Sequence, residues 1–231
     1  MKKIEQLSIP LTLCYTLSVM INIQSFTFNA FQENTYVLYD ETNEAVIIDP
    51  GCYDQNEQEE LKKFVTDKNL RIVELVNTHC HVDHVLGNTF VKRTFNIPFR
   101  IHREELSTLK SVEAYGPAYG FHAYEPLDPD AFFEEGEKIR FGNSVLDILF
   151  VPGHSVGHVA FYSPDFDFCI GGDVLFYRSI GRYDLPGGDY KALMKSIKTK
   201  LFSLPDQTIV YPGHGPVTKI ADEKKFNPFM Q

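Results

Sequence analysis

The chain has little cysteine, no surplus of basic charge and no long uninterrupted apolar run, and each shortage removes a class of protein. Its four cysteines, Cys14, Cys52, Cys80 and Cys169, are scattered and form no C-x-x-C pair. Such spacing does not build a disulfide framework and suits a reducing compartment. With 22 Lys and Arg against 31 Asp and Glu, the formal charge is −9. That balance argues against a nucleic-acid backbone or an anionic membrane surface as the main partner. The apolar stretch from Leu7 to Ile23 is broken by Pro10 and is too interrupted to span a bilayer. It follows Met1-Lys2-Lys3, but Glu5 sits in that basic region and no A-x-A-like site follows, so a signal peptide is the weaker reading. The expectation is a cytoplasmic protein, with secretion open only if residues 1–20 act as a signal segment. Residues 1–20 read as an extension and residues 21–231 as one domain.

What is present is ordinary for a soluble domain: 231 residues, 43% hydrophobic and 23% charged, enough for a core without cross-links. Phe26, Phe28, Tyr36, Leu38, Val46 and Ile48 fall at alternating positions, predicting short strands with turns at Asn34 and at 40–43. Leu61, Phe64 and Val65 are spaced for a helix within 54–69. A branched strand over 71–76 leads to a histidine-rich segment and a helix over 85–95. The stretch 103–137 is less regular and rich in aromatics, which either wall a pocket or simply pack. Strands follow at 138–141 and 145–151 about a Gly142-Asn143 hairpin turn, then at 158–162 and 166–170. Asp189 is placed to cap a helix running to about Phe202, and a last strand covers 208–211.

One arrangement recurs. At 76–84, 151–154, 170–173 and 210–214 a strand ends in a loop bearing His or Asp, usually beside Gly or Pro. Rigid strands aim such loops at a common point, so four of them predict one shared site. The densest is His79-x-His81-x-Asp83-His84, whose nitrogen and oxygen donors suit Zn²⁺, Fe²⁺ or Mn²⁺. Positions i and i+2 of an extended segment face the same way, so His79 and His81 can share an ion. Asp83 and His84 point elsewhere and are better placed for a second. His158 reads as support for the ligands rather than as one of them. Cys80 reads as a packed small residue, and His102 and His122, without matching partners, as surface or loop-packing histidines.

These motifs resemble the metallo-β-lactamase superfamily. Its H-x-H-x-D-H motif matches residues 79–84 without a gap, and Asp49-Pro50-Gly51, Pro152-Gly153-His154, Gly172-Asp173 and Pro212-Gly213-His214 follow in the family's order. The resemblance implies an α/β fold, a four-layer αβ/βα sandwich of two mixed β-sheets flanked by helices. It implies that His79, His81 and His154 hold one divalent ion, Asp83, His84 and His214 a second, and that Asp173 bridges them. Zinc is the expected metal, with iron or manganese as alternatives. The chemistry implied is attack by a metal-bridged hydroxide on an acyl carbonyl, with Asp83 orienting the water or collecting its proton.

Within the superfamily, Gly172-Asp173-Val174-Leu175-Phe176, Ser179-Ile180-Gly181-Arg182 and 184–189 look like the glyoxalase II type, in its short bacterial form. That likeness implies a thioesterase splitting S-D-lactoylglutathione, a small-molecule thioester, with Arg182 as the contact to the thiol carrier. Two departures weaken glutathione as the carrier: only 215–231 remain where longer enzymes have a helical domain, and Asp184 replaces an expected tyrosine. Asp173 argues against true β-lactamases, several of which carry Cys or His in that region. Persulfide dioxygenase, lactone and phosphodiester chemistry, and a non-catalytic metal-binding protein, are the competing readings. A monomer or a homodimer is expected.

Overall fold

The structure, a computed structural model, describes residues 20–231, so the expected N-terminal extension lies outside the described residues except for Met20. Six strands, β1 (Asn22–Phe28), β2 (Glu33–Tyr39), β3 (Glu44–Ile48), β4 (Arg71–Val76), β5 (Phe99–His102) and β6 (Ala131–Phe133), lie side by side in chain order. The first three are antiparallel and the rest add in parallel. Parallel neighbours need crossovers, and helices supply them. Helix α1 (Gln55–Asp67) joins β3 to β4, α2 (Val82–Val85) and α3 (Asn88–Phe95) join β4 to β5, and α4 (Leu106–Tyr115) joins β5 to β6.

The second sheet contains β7 (Lys138–Phe141), β8 (Ser144–Phe150), β9 (Val159–Ser163) and β10 (Phe168–Gly172). A small ribbon of β11 (Leu175–Phe176) and β12 (Ser179–Ile180) precedes α5 (Tyr190–Thr199). Then β13 (Ile209–Pro212), β14 (Thr218–Lys219) and α6 (Ile220–Phe226) complete the chain's regular elements. Its spatial order is β14-β13-β10-β9-β8-β7. Only β10 and β13 run parallel, joined through α5.

The alternation of side chains along each strand decides which layer it feeds. On β2 and β3, Tyr36, Leu38, Val46 and Ile48 enter the core between the sheets, together with Val159, Phe161, Phe168 and Ile170 of the other sheet. Val37, Ala45 and Ile47 point the opposite way, onto Leu61 and Val65 of α1, Val91 of α3 and Leu109 and Val112 of α4. Ala160 and Cys169 face a third core with Leu193 and Ile197 of α5. Three cores separate four layers, helix, sheet, sheet, helix, as expected. Among the described residues no helix is long and apolar enough to cross a membrane.

Several local expectations need correction. The first hairpin turn lies at 29–32, where Asn29 and Gln32 adopt positive φ, and not at Asn34, which sits inside β2. The helix expected over 85–95 is two helices, broken at Leu86-Gly87, where the Gly87 N–H donates to the Pro50 carbonyl at 2.7 Å. The irregular stretch hides α4, whose Leu109 and Val112 are buried in the core between the first sheet and its helices. Asp189 does cap α5, but the helix ends at Thr199 and continues as a 3-10 turn, Leu201–Ser203.

The two sheets are tied at one corner by Asp40, 1% exposed at the end of β2. Its carboxylate accepts the Thr42 N–H (2.9 Å) and hydroxyl (2.5 Å), the Asn143 N–H (2.7 Å) and the Ser144 hydroxyl (2.9 Å). Burial opposes ionisation, but the bonds from Thr42, Ser144 and Asn143 outweigh it and lower the pKa. A lowered carboxylate pKa stabilises the fold above the unfolded value of about 4 and stops doing so as pH falls through the folded value. Asp40→Asn is therefore expected to cost about 1–3 kcal/mol at pH 7. In urea titrations, the gap from wild type should close as pH falls below about 4.

Candidate metal centre

The loops that carry chemistry all leave the same edge of the sandwich. Residues 77–84 follow β4, 151–154 follow β8, Asp173 follows β10 and His214 follows β13. The structure brings all seven expected side chains together there. The ligand-type atoms of His79, His81 and His154 lie within 4.8 Å of one another, and so do those of Asp83, His84 and His214. The Asp173 carboxylate stands between the groups, 3.5 Å from His154 Nε2, 3.5 Å from His84 Nε2 and 3.4 Å from His214 Nε2. A third grouping, Asp49 with His79 and His84, is also compact, but the oxygens of Asp49 are already engaged.

Four of the imidazoles are gripped from behind. His154 Nδ1–H donates to the Arg182 carbonyl at 2.8 Å, and His214 Nδ1–H to the Phe31 carbonyl at 3.1 Å. His84 Nδ1–H donates to Asp49 Oδ2 at 3.2 Å. Thr78 spends its hydroxyl proton on Asp49 at 2.6 Å, so at 3.1 Å its oxygen accepts from His79 Nδ1–H. Each bond orients its ring and turns Nε2 toward the common centre, as a free lone pair in His79 and His154, whose pKa values burial lowers. His81 differs, presenting Nδ1 at 2.8 Å from His154 Nε2.

Inside the centre, buried atoms are left without partners. His79 Nε2, His84 Nε2 and Asp173 Oδ1 are buried and accept or donate no hydrogen bond. Such atoms cost about 1–3 kcal/mol each when unsatisfied, and cations between them would satisfy all three. The donor set, imidazole nitrogen and carboxylate oxygen, is the kind that divalent transition metals take.

The two halves differ electrically. Burial, reinforced by His84 and the other nearby imidazoles, drives His79 well below its usual pKa, and burial with His154 pushes His81 down to about 3. These rings are neutral and offer lone pairs. In the other half burial works against charge on His214, but Asp173 and Asp83 outweigh it and raise the pKa to about 10. His84 is likewise raised by Asp83 and Asp173 against burial. Asp83 and Asp173 are lowered, burial opposing and His84 prevailing with help from His214. Protons there neutralise carboxylates that a cation would otherwise neutralise.

His158 is fully buried, stacked on His79 with ring centroids 4.7 Å apart. Its Nε2 accepts the Asp173 N–H at 3.0 Å, so it steadies two of the seven side chains. Of the two remaining histidines, His102 is packed, 8% exposed and stacked on Phe150, and His122 is at the surface. Cys80 packs in the apolar core. Gly213, beside the cluster, is required by space. A Cβ on Gly213 would collide with Asp173 Oδ1 and come within 2.7 Å of His84 Cε1.

Sequence reasoning missed Asp49, Glu33 and Glu105, all buried. Asp49 was visible only as the start of D-P-G. It accepts Thr78 N–H at 2.7 Å and Asn77 Nδ2 at 3.3 Å besides the bonds above, and so orients both His79 and His84. Glu33 lies 3.7 Å from His84 Nδ1 behind the cluster, with nothing in its spacing to announce it. Arg182, expected to meet substrate, is exposed, and its guanidinium is held by Asp184 through two bonds of 3.0 Å.

Residues 28–214 match the metallo-beta-lactamase superfamily, and the chain belongs to it. It is 36% identical to the Haemophilus influenzae hydroxyacylglutathione hydrolase GloC, over 91% of this chain and 98% of that one. Among solved structures it is similar to the BLEG-1 B3 metallo-beta-lactamase, at 34% identity and a TM-score of 0.80 over 91% of this chain and all of that one. It is similar too to TTHA1623 in a di-iron-bound form, at 38% identity and a TM-score of 0.80, over 89% of this chain and 99% of that one.

Asp49→Asn isolates the support of His84 and His79, because Asn tolerates the positive φ of 51° at this position. Its amide nitrogen cannot accept, so one of the bonds that align Thr78 and His84 is lost. Metal affinity, measured by competition with a chelating dye, is expected to fall about 10- to 100-fold with the fold intact by circular dichroism.

Proposed function

We propose that this protein is a metal-dependent thioesterase acting on hydroxyacyl thioesters of the S-lactoylglutathione type. The observation that carries the hydrolytic reading is the set of inward ring nitrogens and two carboxylates arranged as two groups about Asp173. His79, His81 and His154 would hold one divalent ion, Asp83, His84 and His214 the other, and Asp173 would touch both. Zinc suits the imidazole-rich set, and iron or manganese would be accepted by it. Bound there, a pair of cations supplies a water acidic enough to be hydroxide near neutral pH and a Lewis acid for the carbonyl oxygen.

The chain's own groups do the rest. Asp83, ionised beside His84 and His214, accepts a hydrogen bond from the attacking water and holds it in line, then takes up its proton. The paired backing bonds keep the imidazoles from swinging toward the substrate. The thioester reading is supported by the likeness to GloC over nearly the whole chain. Persulfide dioxygenase chemistry, which needs one iron, leaves the second complete group idle and is the weaker alternative. Lactone and phosphodiester substrates share the same centre.

Beside the centre, Ile180, Gly181, Arg182, Tyr183, Asp184 and Phe229 line an open cleft of about 410 Å³, which we assign to the thiol carrier. Asp184 occupies Nε and Nη2 of Arg182 and offsets its charge, so it competes with the carrier's carboxylate. The free thiols of Cys52, Cys80 and Cys169, all buried, fit the reducing cytoplasm where such a carrier is found.

The test is hydrolysis of S-D-lactoylglutathione by metal-quantified protein. A chelator and His79→Ala are each expected to lower kcat/KM by at least about 100-fold. A chromogenic β-lactam turned over faster than the thioester would instead favour the activity named for BLEG-1. A second prediction concerns the cleft. Asp184→Asn frees Arg182 and is expected to lower KM for lactoylglutathione roughly two- to fivefold without changing kcat. Arg182→Ala should raise KM by a similar factor.

A further inference from the structure

Glu105 stands just ahead of α4 and is 1% exposed, yet no step above uses it. One oxygen accepts the N–H of Cys80 at 2.8 Å, the residue between His79 and His81. The other accepts the Ser155 hydroxyl and, at 2.7 Å, the Gly157 N–H, in the loop that begins at His154. A Cβ on Gly157 would come within 2.7 Å of the Glu105 backbone nitrogen, so that loop is pressed against the start of the helix. The two loops belong to different sheets, and a backbone bond from Val159 N–H to the Thr78 carbonyl joins them at 2.8 Å. Their tips nevertheless meet, His81 against His154 at 2.8 Å. The second group is anchored from another side. Asn77 Nδ2 donates to the His84 carbonyl at 2.8 Å, Asn29 Nδ2 to the Asp83 carbonyl at 3.0 Å, and Asp49 holds the His84 ring.

We infer that Glu105 is a positioning residue that sets the spacing of His79 and His81 against His154. It thereby governs the first group's affinity for its ion, leaving the second group's unchanged. Three donors from two loops converge on one carboxylate, so the fork fixes their relative position as no single backbone bond does. The inference rests on the metal reading above but not on the choice of thioester.

The experiment separates the groups. In a His214→Ala background only the first group is complete, and in a His81→Ala background only the second. Zinc affinity is measured in each by chelator competition, with and without Glu105→Gln. The expected result is a loss of about 10- to 100-fold in the first background and less than about threefold in the second. Ser155→Ala removes one donor, keeps the carboxylate and should give a smaller loss confined to the first background; it carries the test if Glu105→Gln does not fold. Equal losses in both backgrounds, or a lowered melting temperature with zinc affinity unchanged, would reduce Glu105 to a structural staple and overturn the inference. Absence of zinc binding by the His214→Ala protein with Glu105 intact would overturn the ligand assignment itself, whereas loss of thioesterase activity alone bears only on the substrate.

Discussion

The structure depends on one kind of interaction: a hydrogen bond to the back nitrogen of an imidazole. An unheld imidazole rotates and exchanges tautomers, and a cluster of such rings has no defined interior. Here Thr78, Asp49, the Arg182 carbonyl and the Phe31 carbonyl each take one nitrogen and commit the other to the centre. The partners come from different parts of the chain, so the ring orientations record the packing of the whole sandwich. The sheets matter to the chemistry because they hold these partners still.

That arrangement accounts for the burial of so many polar groups. Asp49, His79, His84 and His158 are each at most 1% exposed, where unpaired polarity is costly. Most of the cost is offset by their mutual bonds. Part of it remains at His79 Nε2, His84 Nε2 and Asp173 Oδ1, inside the cluster itself, and at His158 Nδ1 behind it. Other buried orphans, such as Ser163 Oγ and Thr208 Oγ1, stand singly, whereas His79, His84 and Asp173 belong to one cluster.

The layers were legible in the chain because strand alternation and the H-x-H-x-D-H spacing are local signals. Tyr36 and Leu38 announce their face by position alone, and the seven side chains stand at strand ends that can be counted off the sequence. What stayed hidden depends on distance in the chain. Glu105 contacts Cys80 and Gly157, and Glu33 reaches His84, pairings that no spacing rule foretells. Helix α4 was masked because an aromatic-rich stretch reads as irregular when its buried Leu109 and Val112 are few. Arg182 was found by resemblance, but its bond to Asp184, two residues away, shows only in three dimensions.

The cluster draws on segments from Glu33 and Asp49 near one end of the described chain to His214 near the other, and Glu33 forms an isolated bridge with His214. A nascent polypeptide leaving the ribosome therefore displays His79, His81, Asp83 and His84 long before their counterparts exist. Until residue 214 has emerged, those early donors lack the side chains that complete both groups. The enclosed centre thus belongs to the completed molecule and to no earlier length of it.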